Sequence, residues 1–283
     1  MSNDDSLNDL LTVMARLREP NTGCPWDLAQ SYQTIASSTI EEAYEVVDAI
    51  DRQDYPQLKD ELGDLLFQVI FYSQLAKEEG RFDFYEVAAG ASAKLLRRHP
   101  HVFPSGKLDS RIDPDDRNLD RREESIKVSW ERIKQEERTR KGYRGLLDDI
   151  PKALPAVMRS VKLQKRAASV GFDWPSAEGV YDKIQEELGE LKVASDSNDQ
   201  TDIEEELGDL LFTVVNLARH LKVGPEKALR RANTKFEERL QYLEQQAISQ
   251  GESLSKQPTD ILEKWWKQAK GRERKSESVT KKM

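Results

Sequence analysis

A single cysteine in 283 residues excludes an internal disulfide, and Cys24 has no neighbour that would activate a thiol, so it reads as a small buried residue. Glycine and proline are few, at 14 and 11, and aromatics make up 7% of the chain. That scarcity argues against a turn-rich β-sandwich and leaves long, charged helices as the expected elements. No apolar run reaches membrane-spanning length, and the first residues lack the charged, apolar, small-residue order of a signal sequence. A cytoplasmic, reducing compartment without membrane contact is expected. A basic surplus is also missing. With 52 acids against 44 bases, the net charge of −8 argues against nonspecific nucleic-acid binding, and an anionic substrate would need a local cation. No glycine-rich phosphate loop ending in Gly-Lys-Ser or Gly-Lys-Thr is present, which sets a conventional nucleotide-binding ATPase aside.

What is present is repetition. Glu61-Leu62-Gly63-Asp64-Leu65-Leu66-Phe67 recurs letter for letter as Glu206-Leu207-Gly208-Asp209-Leu210-Leu211-Phe212. An acidic cluster precedes each copy at equal distance, Glu41-Glu42-Ala43-Tyr44-Glu45 and Glu186-Glu187-Leu188-Gly189-Glu190. Gly23-Cys24-Pro25-Trp26 matches Gly171-Phe172-Asp173-Trp174, Lys94 with Arg98 matches Lys235 with Arg239, and Trp130 matches Trp266. The chain reads as a tandem duplication. Ile184, Leu188 and Leu191, then Leu207, Leu210, Leu211, Val214 and Leu217, fall at helical spacing, as do Ile40, Tyr44 and Val47, then Leu62, Leu65, Leu66 and Val69. Each half therefore predicts an amphipathic helical hairpin, with residues 51–55 as the polar turn of the first. Expected boundaries are 1–145 for the first unit, with a mobile loop at about 104–122, and 146–270 for the second. A disordered basic tail is expected over 271–283.

Within each hairpin the acids stand three apart, Glu187 with Glu190 and Glu206 with Asp209, so each pair shares one helix face. When the stripes pack, the four carboxylates converge, and their repulsion calls for a cation. A lone Glu-x-x-Glu is ordinarily a solvated face, but two linked pairs repeated at fixed spacing are not. Oxygen donors without His or Cys suit Mg²⁺. Carboxylate-bridged di-iron bundles need Glu-x-x-His, and His99, His101 and His220 have no Glu three residues earlier. Lys235 and Arg239 stand at i, i+4, either as a phosphate clamp or as a surface pair. Trp174 and Trp266 read either as base-stacking rings or as core. His99-Pro100-His101 reads as structural.

The two acidic elements, the repeated Glu-Leu-Gly-Asp-Leu-Leu-Phe, Gly-Cys-Pro-Trp-Asp from Gly23 and Arg-Arg-His-Pro-His-Val-Phe from Arg97 together resemble the bacterial MazG family over nearly the whole chain. The resemblance implies an all-α helical-bundle unit in tandem, a homodimer, and Mg²⁺-dependent conversion of nucleoside triphosphates such as ATP to monophosphate and pyrophosphate. It implies Glu187, Glu190, Glu206 and Asp209 as catalytic metal ligands, with Lys183, Lys235, Arg239 and Trp266 as nucleotide contacts. The first-half ligand equivalents are Glu42, Glu45, Glu61 and Asp64. Ser92, Leu95 and Pro100 break the Asn-x-Lys-Phe pattern of the second half, which places the main active site there. A narrow dUTPase-like or dCTPase-like hydrolase and a nucleotide-sensing interaction protein are the rival expectations. A nucleotide panel separates the first, and intact acids in both halves weigh against the second.

Overall fold

The apolar stripes at helical spacing form helices throughout. A computed structural model describes residues 3–112 and 123–280, and among these there is no strand. The helices are α1 (Asn3–Leu17), α2 (Pro25–Leu28), α3 (Ala36–Arg52), α4 (Tyr55–Glu78), α5 (Phe84–Arg98), α6 (Glu123–Arg140), α7 (Ala156–Ala168), α8 (Ala177–Ser197), α9 (Gln200–His220), α10 (Pro225–Ser249) and α11 (Thr259–Thr280). Contacts divide the chain into two compact units, Met1–Glu136 and Glu137–Met283. The division falls inside α6, earlier than the 145/146 boundary expected from the sequence.

Each unit is organised on a helical hairpin, α3 with α4 and α8 with α9. The two turns use the same chemistry. Gln53 (φ 57°) and Asn198 (φ 56°) end their helices in the left-handed conformation, which turns the chain out of the helix. The following aspartate then caps the next helix. Asp54 accepts from the Gln57 N–H at 3.1 Å, and Asp199 accepts from Thr201 and Asp202 at 2.9 and 3.3 Å. The turn expected over 51–55 is therefore only Gln53 and Asp54, because α3 continues through Arg52.

In the first unit Met14, Ile35, Ile70, Phe71 and Leu75 form the core between α1 and α4. Beside it the buried Arg18 is held by Glu78 at 2.8 Å and by the Asp27 carbonyl, so this inner charge is paired. In the second unit Leu243, Ala247 and Trp265 join α10 to α11. There Arg138 and Arg166 share Asp149 at 2.9 and 3.1 Å, fastening the segment before α7.

Two expectations are revised. α11 continues through Gly271 to Thr280, where an unstructured tail was expected. A helix already nucleated extends cheaply through Arg, Lys, Glu and Ser when no proline intervenes. The stripes also do not close within their hairpins: Leu188, Leu207, Leu211 and Val214 stay exposed, as do Ile40, Tyr44, Leu62, Leu66 and Val69. Two helices offer too little surface to cover both stripes. Residues 104–112 are irregular, and the rest of the loop expected over 104–122 lies outside the described residues, as do residues 281–283 of the tail.

Candidate active site

Pairing α8 with α9 brings Glu187, Glu190 and Glu206 together, each offering an oxygen within 4.8 Å of the others, and α3 with α4 does the same for Glu42, Glu45 and Glu61. The i, i+3 spacing supplies two acids from the first helix, and the hairpin register supplies the third. Asp209 and Asp64 stand outside these trios but near enough to act on them electrostatically. Burial pushes the Glu206 carboxyl above the usual range, and the charges of Glu190, Glu187 and Asp209 push it further. Burial, Asp64 and Glu61 do the same to Glu42, while a hydrogen bond to Glu61 and the charges around it raise Glu45. Both trios thus hold more negative charge than their surroundings neutralise. Their all-oxygen donor sets fit a hard divalent cation.

The trios differ in a way the repeated letters conceal. In the second unit the buried acid is Glu187, 4% exposed; in the first it is Glu61, 7% exposed. Lys183 Nζ lies 2.7 Å from Glu186 and 2.8 Å from Glu187, and those hydrogen bonds drive its ammonium well above the usual lysine range. At the spacing that relates Glu61 to Glu206, the first unit has Ser38 in place of Lys183. Glu61 instead accepts from Gln57, one turn away.

On α10, which packs against α9, Lys235 and Arg239 are both half-buried. The Arg239 guanidinium lies 5.4 Å above the Trp266 ring, and Phe236 meets the same ring edge-on at 5.5 Å. Trp266 therefore supports Arg239, and the i, i+4 pair is a packed feature of α10. His99 contacts the rings of His101 and Trp130. Cys24 is a half-buried free thiol.

Two groupings escaped the sequence. Asp173 Oδ1 receives Arg219 and, at 3.1 Å, His220 Nε2, while Arg219 Nε donates to the buried Asn216 at 2.9 Å. Partial burial alone would raise the Asp173 carboxyl, but the bonds from Arg219 and His220 prevail and hold it below the usual range. Next to it, Trp174 rests on α8 at Gly179, where an added Cβ would come within 2.6 Å of the indole Cδ1. A glycine inside a helix is the one sequence signal of such a seat.

The model of the MazG nucleotide pyrophosphohydrolase domain matches the sequence twice, over residues 30–103 and 176–243, each match containing one acid trio. The Escherichia coli K12 nucleoside triphosphate pyrophosphohydrolase is 47% identical over 95% of this chain and 98% of its own length. The Thermotoga maritima nucleoside triphosphate pyrophosphohydrolase/pyrophosphatase MazG is 41% identical over 93% of this chain and 95% of its own length. The uncharacterised Bacillus subtilis protein YabN is 39% identical over 94% of this chain, which spans 52% of YabN.

Proposed function

The chain belongs to the MazG family of nucleotide pyrophosphohydrolases, and from that premise we propose that it hydrolyses nucleoside triphosphates, with broad base and sugar tolerance, to monophosphate and pyrophosphate. The reaction is Mg²⁺-dependent and centred on the second unit. The observation that carries this reading is the trio Glu187, Glu190 and Glu206, with Asp209 as the fourth acid and Lys183 as the adjoining cation. Glu187, Glu190, Glu206 and Asp209 would hold the ion. When bound, Mg²⁺ supplies neutralisation of phosphate charge and acidity for a coordinated water.

The chain's own groups do the rest. The water oxygen bonds to the α phosphorus, the bond from that phosphorus to the bridging oxygen of the β phosphate breaks, and pyrophosphate leaves with the electron pair. Glu187, buried beside the other acids, takes the water's proton. Lys183, whose ammonium adjoins Glu187 at 2.8 Å, would bind the phosphates. Lys235 and Arg239, the latter fixed over Trp266, balance the charge of the departing pyrophosphate. The uncovered stripes of the hairpins support a homodimer, and one free thiol suits a reducing cytoplasm.

Each canonical triphosphate incubated with Mg²⁺ should yield its monophosphate and one equivalent of pyrophosphate by ³¹P NMR. Chelation with excess EDTA should abolish turnover. Release of orthophosphate with a diphosphate remaining, or full activity in EDTA, would overturn this reading.

A further inference from the structure

Trp174 is accessible, and its ring is seated against α8. It is 38% exposed, and its backbone N–H donates to Asp173 Oδ1 at 3.0 Å, which anchors the main chain below the ring, Asp173 being pinned in turn by Arg219 and His220. The indole fills the place a side chain at position 179 would take. Glycine weakens a helix relative to alanine, and Gly179 stands in the first turn of α8, so this seat exists at some expense to the helix start. A tryptophan serving as core filler would be covered, as Trp265 is at 4% exposure.

The seat also fixes what the ring faces. Gly179, Lys183, Glu187 and Glu190 fall within about 80° of one face of α8, and Gly179, Lys183 and Glu187 follow one another at steps of about 6 Å along its axis. An accessible ring, an ammonium bound to carboxylates and the acid trio therefore follow one another along one face. That order matches base, phosphates and cation in a nucleotide. Of the other second-unit tryptophans, Trp265 is buried and Trp266 is half-buried, with Arg239 over its ring and Phe236 at its edge. In the first unit the matching Trp26 is 62% exposed, α3 begins only at Ala36, and Ser38 stands for Lys183.

We propose that Trp174 is the platform on which the nucleobase stacks, a specificity-determining residue that favours purines because their larger rings overlap the indole more fully. This rests on reading the second unit as the nucleotide site. Stacking needs no base-edge hydrogen bond, so the platform tolerates every base while grading them by ring area.

Calorimetry with AMP and, separately, inorganic pyrophosphate tests the proposal without needing turnover. Trp174→Ala should weaken AMP about tenfold and leave pyrophosphate binding unchanged, while Trp174→Phe keeps most of the affinity. Gly179→Ala, which displaces the ring without removing it, should weaken AMP in the same direction. In turnover, Trp174→Ala should raise KM for ATP about tenfold, raise it less for CTP, and leave kcat within about twofold. Unchanged AMP affinity in Trp174→Ala, or an equal loss for AMP and pyrophosphate, would overturn it. Absence of pyrophosphate release by the unaltered protein would sink the proposed reaction, whereas AMP affinity still reads the platform.

Discussion

Lys183 is the residue at which the two halves diverge most sharply, since its ammonium holds Glu186 and Glu187 where the first unit has Ser38. A cation at that point competes with a metal for Glu187 and attracts phosphate, so removing it should move two constants in opposite directions. Lys183→Gln should raise KM for ATP about tenfold through loss of a charge-assisted hydrogen bond. The Mg²⁺ concentration giving half-maximal activity should fall, because Glu187 no longer shares its charge. Without metal the variant should also melt earlier, its buried carboxylate being uncompensated, and added Mg²⁺ should restore Tm. Steady-state titration of Mg²⁺ and ATP checks both signs, and a joint rise would show that Lys183 only supports Glu187. The meeting of three acids in each unit was legible in the sequence because i, i+3 spacing fixes a shared helix face, whereas Asp209 and Asp64, expected to converge with them, lie outside the trios. The Trp174 seat and the Asp173, Arg219 and His220 grouping were not, because they join residues from separate elements and Gly179 alone signals nothing but a weakened helix.

The helices and hairpins were legible in the period of their apolar residues, which fixes a face without saying what covers it. That limit explains the exposed stripes: the sequence predicted that Leu207, Leu211 and Val214 pack, and in the chain alone they remain uncovered. Leu211 is 59% exposed in the middle of α9, one helical turn from Leu207. Such a face is stable in water when a second copy closes the bundle. Light scattering at micromolar concentration should give the mass of a dimer. Leu211→Glu should shift it toward the monomer with helical content preserved, since a carboxylate at the centre of the seam is costly to bury. A monomeric unaltered protein, or a dimeric Leu211→Glu, would show that this face is not the interface. The end of α11 was less legible, because helix propagation past Gly271 depends on the anchored turns before it and not on an apolar face of its own.

At the scale of the whole molecule, duplication has produced two acid trios of one geometry set in two environments. In the second unit the buried Glu187 adjoins the Lys183 ammonium, and α10 of the same unit carries Arg239 over Trp266. In the first unit the buried Glu61 adjoins an amide from Gln57, and Trp130 of the same unit meets His99 and Lys134. If catalysis needs only three acids and an ion, the halves should work alike. If it also needs cations placed for the phosphates, the second should dominate. Glu61 and Glu206 occupy the same place in the repeated heptapeptide and allow a matched test. Glu206→Ala should remove most pyrophosphate release, about a hundredfold or more, because the acids left behind hold the ion poorly. Glu61→Ala should cost less than about twofold by the same measurement, since it leaves that site untouched. Both variants should fold, because removing one acid relieves repulsion among the others, and circular dichroism should confirm this before rates are compared. Equal losses would mean two sites of similar competence, and a larger loss from Glu61→Ala would assign the reaction to the first unit.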